Sequence, residues 1–306
     1  MTMGMVTKST GSWYEVDAGH GQVLKCRLRG KIRLDDAGKT NPVAVGDRVM
    51  VHLDDHEEAV ITEILPRTNH IIRKATNLSR QQHVLAANID QVMIVASLSR
   101  PKISPGFIDR YLVTTEAYGI HSILILNKLD QWSAQEVEQA NELRSIYTNA
   151  GYSVLCTSAI RGDGLDSVRD HLSSKITLIS GFSGVGKSSL LNKLFGHLNL
   201  KTGEVSQFSR KGTHTTTFAQ MFTPEPDLRI IDTPGIKEWG LADISGYELG
   251  HHFPEFRSYL PQCHFNTCTH AHEPQCAVRE AVEGGKIPRQ RYKSYLSMLL
   301  NEDNRA

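Results

Sequence analysis

The 306-residue sequence holds no apolar run long enough to span a bilayer, since its most apolar stretches, VMIVASL and ILIL, are only of strand length. Residues 1–16, MTMGMVTKSTGSWYEV, contain no apolar run of signal-peptide length, so a cytoplasmic protein with no membrane partner is expected. Charge is nearly balanced at +1, which excludes a global attraction to polyanions; nucleic-acid affinity has to come from local patches. Five cysteines are too few for a disulfide scaffold in so long a chain, and three of them fall between 263 and 276, a density that suits a metal site. There is no internal repeat and no low-complexity tract. What remains is an ordinary globular composition, 40% hydrophobic and 22% charged, with length for two domains or three small ones.

Residues 1–74 read as short strands, among them QVLKCRLRG, VGDRVMVHL and AVITEIL, broken by Gly, Asp, Asn and Pro. That pattern predicts a small barrel or sandwich. Within it KCRLRGKIR alternates, so Lys25, Arg27, Arg29, Lys31 and Arg33 share one face of a strand and Cys26, Leu28, Gly30 and Ile32 the other. A solvated outer face usually mixes signs. Five like charges in a row repel one another and suit a phosphate backbone, so this strip is the expected RNA-binding face.

Between 75 and 240 apolar strands alternate with helical patterns: DQVMIVASL, ISPGFIDRYLVTTEAYG, HSILILNKLD, SAQEVEQANELRSIYTNAG, YSVLCTS, GLDSVRDHL, ITLISG, KSSLLNKLFG and LRIIDTPG. This predicts an α/β unit with a mostly parallel sheet and helices on both faces. Residues 241–306 are helix-like and rich in His, Cys and Pro, and KIPRQRYK at 286–293 carries four basic residues and no acid.

GFSGVGKSS, residues 181–189, has the phosphate-loop spacing of Gly181, Gly186, Lys187 and Ser188, with Phe182, Ser183, Gly184, Val185 and Ser189 completing the loop. Its glycines let backbone amides turn inward around phosphate oxygens, Lys187 can reach the β- and γ-phosphates, and Ser188 can hold Mg²⁺. In DTPG, Asp232 ends a strand where a magnesium-site carboxylate is needed, and the Gly235 N–H can approach a γ-phosphate. NKLD offers Asp130 to guanine N1–H and its 2-amino group together, a pairing that rejects adenine and so disfavours an ATPase. Asn127 can brace neighbouring loops and the Lys128 stem can cover the base. In TSA, Ser158 and Ala159 follow a strand, and the Ala159 N–H can meet guanine O6. In RKGTHTTTFAQ, Thr215 and Thr216 are both candidates for the second magnesium hydroxyl. Many GTPases orient the attacking water with a glutamine just after the switch glycine. Here that position is Ile236, which leaves His214 as the nearest titratable candidate for the catalytic role. Cys263, Cys268, His270 and Cys276 give C-x4-C-x-H-x5-C, a set suited to one closed, structural Zn²⁺, with His264 and His272 as rival imidazoles; Cys26 and Cys156 read as buried free thiols.

The order of these motifs is unusual, because the guanine-type box and TSA precede the phosphate loop, HTTT and DTPG. That order is similar to the circularly permuted GTPases. With VGDRV in the first segment, DTPGIKEWG, and CHFNTCTHAHEPQCAV in the last, the chain resembles the ribosome small-subunit-dependent GTPase A family from about residue 10 to 300. The resemblance implies an N-terminal oligonucleotide-binding (OB-like) β-barrel, a circularly permuted P-loop GTPase domain and a C-terminal helical zinc-binding domain. It implies binding to the 30S ribosomal subunit and its 16S rRNA during late maturation, GTP hydrolysis stimulated by that subunit, and work as a monomer. It favours His270 as the fourth metal ligand and includes His214. Phe182 departs from it, standing where a polar residue is expected. An alternative from a different class is a zinc-containing RNA-binding module in which guanine nucleotide is a structural ligand.

Overall fold

The computed structural model describes residues 1–10, 12–30, 42–53, 58–73, 83–196, 198, 200, 219–232, 244 and 246–300. The first five strands are β1 (Thr2–Ser9), β2 (Tyr14–Asp17), β3 (Val23–Leu28), β4 (Arg48–Leu53) and β5 (Ala59–Ile64). They run in the order β1-β2-β3-β5-β4, and β4 returns to β1 from Thr2↔Val51 to Met5↔Arg48, which closes a barrel. Five strands so connected form the oligonucleotide-binding type of barrel. Val6, Tyr14, Val16, Cys26, Val49 and Ile61 fill its interior. Alternation on β3 holds as expected, with Cys26 and Leu28 inward and Lys25 and Arg27 outward. The strand is shorter than its charge pattern suggests: it stops at Leu28, with Gly30, a poor strand residue, two positions on. Arg29 is exposed beyond it, and Lys31 and Arg33 lie outside the described residues.

β6 (His70–Arg73) and β7 (His83–Ala87) form a separate two-stranded sheet after the barrel. The VGD segment joins the two. Val45 bridges to Ala86, and the fully buried Asp47 accepts from Arg67 Nε at 2.6 Å, Arg67 Nη2 at 2.7 Å and the Ala44 N–H at 2.8 Å.

The α/β unit contains β8 (Gln91–Ser97), α1 (Pro105–Ala117), β9 (His121–Asn127), α2 (Ala134–Asn149), β10 (Ser153–Thr157), α3 (Leu165–Leu172), β11 (Ile176–Ser180), α4 (Lys187–Leu194), β12 (Gln220–Glu225) and β13 (Leu228–Asp232). Its strands lie in the order β10-β9-β8-β11-β13-β12, parallel except for β12. All residues of β8 and β11 are buried, as strands covered by helices on both faces must be. The chain leaves β8 towards β9 and β10, then crosses back to place β11 on the other side of β8. Strand order therefore reverses between β8 and β11, where α/β sheets open a crevice for ligands. Among the described strands of the α/β unit, β12 is the one that the sequence pattern does not give. It starts at Gln220, past the threonine run, and pairs with β1 of the barrel at Lys8↔Gln220, so that eleven strands form one continuous sheet.

Single turns of 3₁₀ helix at 249–252, 254–256 and 260–262 lead to α5 (Ala277–Glu283) and α6 (Arg289–Leu299). Phe253, Phe256, Val278, Ile287 and Tyr295 form their core, which Val113 of α1 completes. Arg291, in the basic run 286–293, is not a surface charge: it is fully buried. Its Nη1 donates to Asp109 Oδ1 of α1 at 2.6 Å and its Nε to Glu255 Oε1 at 2.6 Å, while Tyr147 OH donates to the same Asp109 oxygen at 2.8 Å. Burial pushes the Asp109 carboxyl upward, and the Arg291 charge opposes that shift. Removing one partner of such a pair strands the other. Arg291→Ala should lower unfolding free energy by about 3–5 kcal/mol, read from urea midpoints; a loss below about 1 kcal/mol, the level of an exposed pair, would contradict this account.

Candidate functional site

β11 ends at Ser180 and the phosphate loop turns directly into α4, so the helix's N-terminal N–H groups face the loop. Gly181 (φ +143°) and Gly186 (φ +96°) are required by contact as well as conformation. A Cβ on Gly181 would stand 2.2 Å from the Val95 carbonyl oxygen, and one on Gly186 would stand 2.5 Å from Asn127 Nδ2. Lys187 Nζ donates to the carbonyls of Gly181 at 2.8 Å and Phe182 at 2.9 Å, holding the loop closed on itself. Burial pushes its ammonium pKa down and the Asp232 charge pulls it back, which places Asp232 in electrostatic reach of the loop. Ser188 is partly buried beside Lys187; Ser183, Gly184 and Ser189 are exposed and Val185 is buried. The Phe182 ring lies 4.1 Å from that of Phe107 on α1, so this departure from the polar residue expected there packs outward and leaves its backbone to the loop.

The two motifs that chain order separates meet at Asn127. Fully buried at the end of β9, it donates from Nδ2 to the Val185 carbonyl at 2.9 Å and accepts at Oδ1 from Thr157 Oγ1 at 2.9 Å. One amide thus ties the ends of β9, β10 and the phosphate loop together. Lys128 adopts a left-handed conformation (φ 71°) and donates to the Arg100 carbonyl in the loop after β8. Burial lowers its pKa and Asp130 raises it. Asp130 Oδ1 accepts from Ser158 Oγ at 2.5 Å, and that hydroxyl accepts from the Arg161 N–H at 3.1 Å. Asn127, Lys128, Asp130, Ser158 and the partly buried Ala159 therefore gather at the ends of the two adjacent strands β9 and β10, and Asn127 bonds this group to the phosphate loop. His214, Thr215, Thr216 and Gly235 lie outside the described residues. Thr157, the first residue of TSA, joins this arrangement through its side chain, and Arg100 joins it although nothing in its local sequence marks it.

On the barrel, Lys25 Nζ and Arg27 Cζ sit 4.9 and 4.4 Å from the centroid of the Trp13 ring, and Arg27 also pairs with Glu58 at 3.6 Å. Trp13 was not among the expected site residues; isolated in a turn before β2, it has no motif to reveal it.

The ligating atoms of Cys263, Cys268, His270 and Cys276 all lie within 4.8 Å of one another. His270 Nδ1 faces Cys263 Sγ at 3.6 Å and Cys276 Sγ at 3.5 Å, whereas His264 and His272 are exposed. Burial pushes the Cys268 thiol up to about 12, so a thiolate there calls for a cation. Tyr292 OH and Tyr295 OH donate to the carbonyls of His270 and Thr269 at 2.7 and 2.6 Å, fixing the loop to α6. Three thiols and an imidazole at this spacing can hold one metal ion and leave no open position.

A phosphate loop at a strand-order reversal, with a guanine-type box hydrogen-bonded to it from earlier in the chain, defines a GTPase of permuted order. Known proteins agree. The RsgA N-terminal domain profile matches residues 3–61 and the RsgA GTPase profile residues 64–242. "Small ribosomal subunit biogenesis GTPase RsgA 2" of Bacteroides thetaiotaomicron is 47% identical over 98% of this chain and 97% of its own length. "Small ribosomal subunit biogenesis GTPase RsgA" of Porphyromonas gingivalis is 46% identical over 98% of this chain and 97% of its own length. The crystal structure of YjeQ from Thermotoga maritima superposes with a TM-score of 0.80 at 34% identity, covering 100% of this chain and 99% of that one. YloQ, described as a circularly permuted GTPase, gives 0.73 at 29% identity, covering 100% and 96%. The chain belongs to the RsgA GTPase family. Among the described residues no helix is long and apolar enough to cross a membrane.

Glu273 organises the metal loop. Its carboxylate accepts from the Thr269 N–H and hydroxyl and from the Ala271 and His272 N–H groups. Partial burial disfavours its charge, but these hydrogen bonds outweigh it and hold the carboxyl at about 2. A carboxyl so depressed stabilises the loop fully above its ordinary pKa, and this contribution disappears as pH falls towards about 2. Glu273→Ala should therefore weaken metal retention against a chelator by about 10- to 100-fold at neutral pH, measured by competition with a chromogenic chelator; retention equal to wild type would remove Glu273 from that role.

Proposed function

We propose that this GTPase hydrolyses GTP at the phosphate loop and acts in late maturation of the small ribosomal subunit, binding its rRNA and accelerated by it. The observation that carries the reading is the Asn127 amide, which joins the guanine-type box to the phosphate loop. Asp130 reads the guanine edge, the Ala159 N–H meets guanine O6, and the Lys128 stem covers the base. The loop from Gly181 to Ser189 cradles the phosphates, with Lys187 at their β and γ oxygens. Ser188 and Asp232 take Mg²⁺ together with Thr215 or Thr216. Gly235 approaches the γ-phosphate and His214 orients the attacking water. Zn²⁺ is the ion assigned to Cys263, Cys268, His270 and Cys276, in a structural role, because a closed three-thiolate site suits it. The maturation role is supported by the names of close relatives that span nearly the whole chain.

GTP turnover measured with 30S subunits, with 50S subunits and with neither tests the whole reading. Acceleration by 30S alone is expected, and equal rates in all three would refute it. Base selection has its own test. Asp130→Asn should move preference from guanine to xanthine nucleotide, because an amide then meets a carbonyl where guanine has an amine. Undiminished GDP binding by that variant, with no gain for xanthine, would discard the base assignment.

Lys25, Arg27 and Arg29, with Lys31 and Arg33 beyond them, form the RNA-facing strip, to which Trp13 adds a ring held by two cations. Reversing Lys25 and Arg29 to Glu should weaken 30S binding and lower the log–log salt slope by roughly 0.7–0.9 for each phosphate that is no longer neutralised. An unchanged slope would return the strip to a merely solvated face.

A further inference from the structure

β12 is the outermost strand of the α/β unit, and the barrel's β1 covers its edge. Among the described residues the joint contains a single ladder pair, Lys8↔Gln220, beside a bulge in β1 between Val6 and Lys8. Its register is informative. Gln220 lies directly opposite Asp232 on β13, Lys8 opposite Glu15 on β2, and Glu15 opposite Lys25 on β3. Directly opposed residues place their side chains on the same face. Lys25, Glu15, Lys8, Gln220 and Asp232 therefore form one row, from the basic side of the barrel to the carboxylate beside the phosphate loop. Lys8 Nζ and Glu15 Oε1 are 3.4 Å apart within it. The barrel reaches the α/β unit a second time through Asp17 of β2, 4.0 Å from Arg229 on β13, and Met5 of β1 packs on that unit's core. In sequence, Thr216 precedes Gln220 by only four positions.

We propose that the barrel regulates the nucleotide site through this row, with Gln220 as the positioning residue. An RNA engaged by Lys25 and Arg27 bears on β3 and β2. The latter carries both barrel carboxylates, Glu15 and Asp17, that reach toward Lys8 and Arg229. Displacement of β1 on β12 then alters the placement of Gln220 and, opposite it, of Asp232. A partner that binds the two placements with different affinity shifts the balance between them. Among the described residues this is the shortest strand pairing in the sheet, and a short pairing beside a bulge is where such a shift costs least. The inference rests on the proposed 30S and magnesium roles.

The test is a cross-link. Antiparallel residues in register stand about 4.5–5.5 Å apart at Cα, inside the range of about 4.4–6.8 Å that a disulfide spans. The full-length, metal-loaded Lys8→Cys/Gln220→Cys variant is assayed oxidised and reduced, with and without 30S subunits, beside wild type given the same treatments. Acceleration by 30S should be about tenfold smaller in the oxidised form than in the reduced one, an ordinary size for allosteric coupling. Equal acceleration in both forms overturns the proposal, and so does failure of the folded pair to cross-link, since the register itself would be wrong. A wild type that 30S does not accelerate would overturn the proposed function, and this inference with it. Intrinsic turnover supplies a readout of position that no subunit affects. Gln220→Lys, which sets an ammonium opposite Asp232, should need about tenfold more Mg²⁺ for half-saturation than Gln220→Glu, as close charges near a surface imply. Asp232→Asn serves as reference: if it leaves the Mg²⁺ dependence unmoved, the magnesium role of Asp232 fails. If it shifts the dependence while the two Gln220 variants agree, Gln220 is not a positioning residue.

Discussion

The nucleotide site depends on one buried amide. Asn127 has two things to satisfy, a donor and an acceptor, and it spends them on different neighbours: the Val185 carbonyl in the phosphate loop and the Thr157 hydroxyl at the end of β10. A buried amide left unpaired costs about 1–3 kcal/mol, so both bonds are enforced together. The consequence is geometric. Phosphate loop and base-reading box hold a fixed separation although the chain visits them in reversed order. Connectivity matters little to a pocket of this kind, because parallel strands β8 and β11 pair as well when β11 is made later as when it is made first.

The last segment is fixed by a different balance. Arg291, Asp109 and Glu255 are a charged cluster withdrawn from water, and the guanidinium also lies 4.8 Å from the centre of the Phe253 ring. Buried ion pairs often add little net stability, but breaking one is expensive. The cluster therefore specifies geometry. The segment that carries the Cys₃His group is tied to α1 by this cluster. α1 in turn touches the phosphate loop through Phe107 and Phe182. The metal group is thus connected to the nucleotide site by packed side chains, beyond the chain link that follows DTPG.

Legibility in the sequence followed the range of the interactions. The phosphate loop, the NKLD box and the Cys₃His spacing are local patterns whose chemistry needs set residues at set offsets, and their residues are found together where those patterns placed them. The buried strands β8, β9 and β11 announce themselves by continuous apolar runs. Arg291 was unreadable because its partner Asp109 is 182 positions away, and a charged residue within KIPRQRYK looks solvated until that partner is placed. β12 was unreadable for a related reason. QMFTPE alternates weakly and includes a proline, and only pairing with β13 on one side and the barrel on the other makes it a strand. Charge alternation carried the strand pattern past Leu28, where β3 ends, because periodicity of charge does not mark a strand's end.

The seam between β1 and β12 also bears on how the chain is made. The strand that caps the α/β unit's edge is the first one synthesised, and the residue it meets, Gln220, comes 212 positions later. A nascent barrel can close on itself through β4 long before then, yet the outer flank of β1 near Lys8 stays unpaired. Exposed strand edges recruit other chains, and lysine is a common guard against this. Lys8, paired with Glu15 of β2 on partly exposed side chains, stands at that flank, where a charge suits such an edge. In the finished molecule the same side chain marks the joint between barrel and α/β unit.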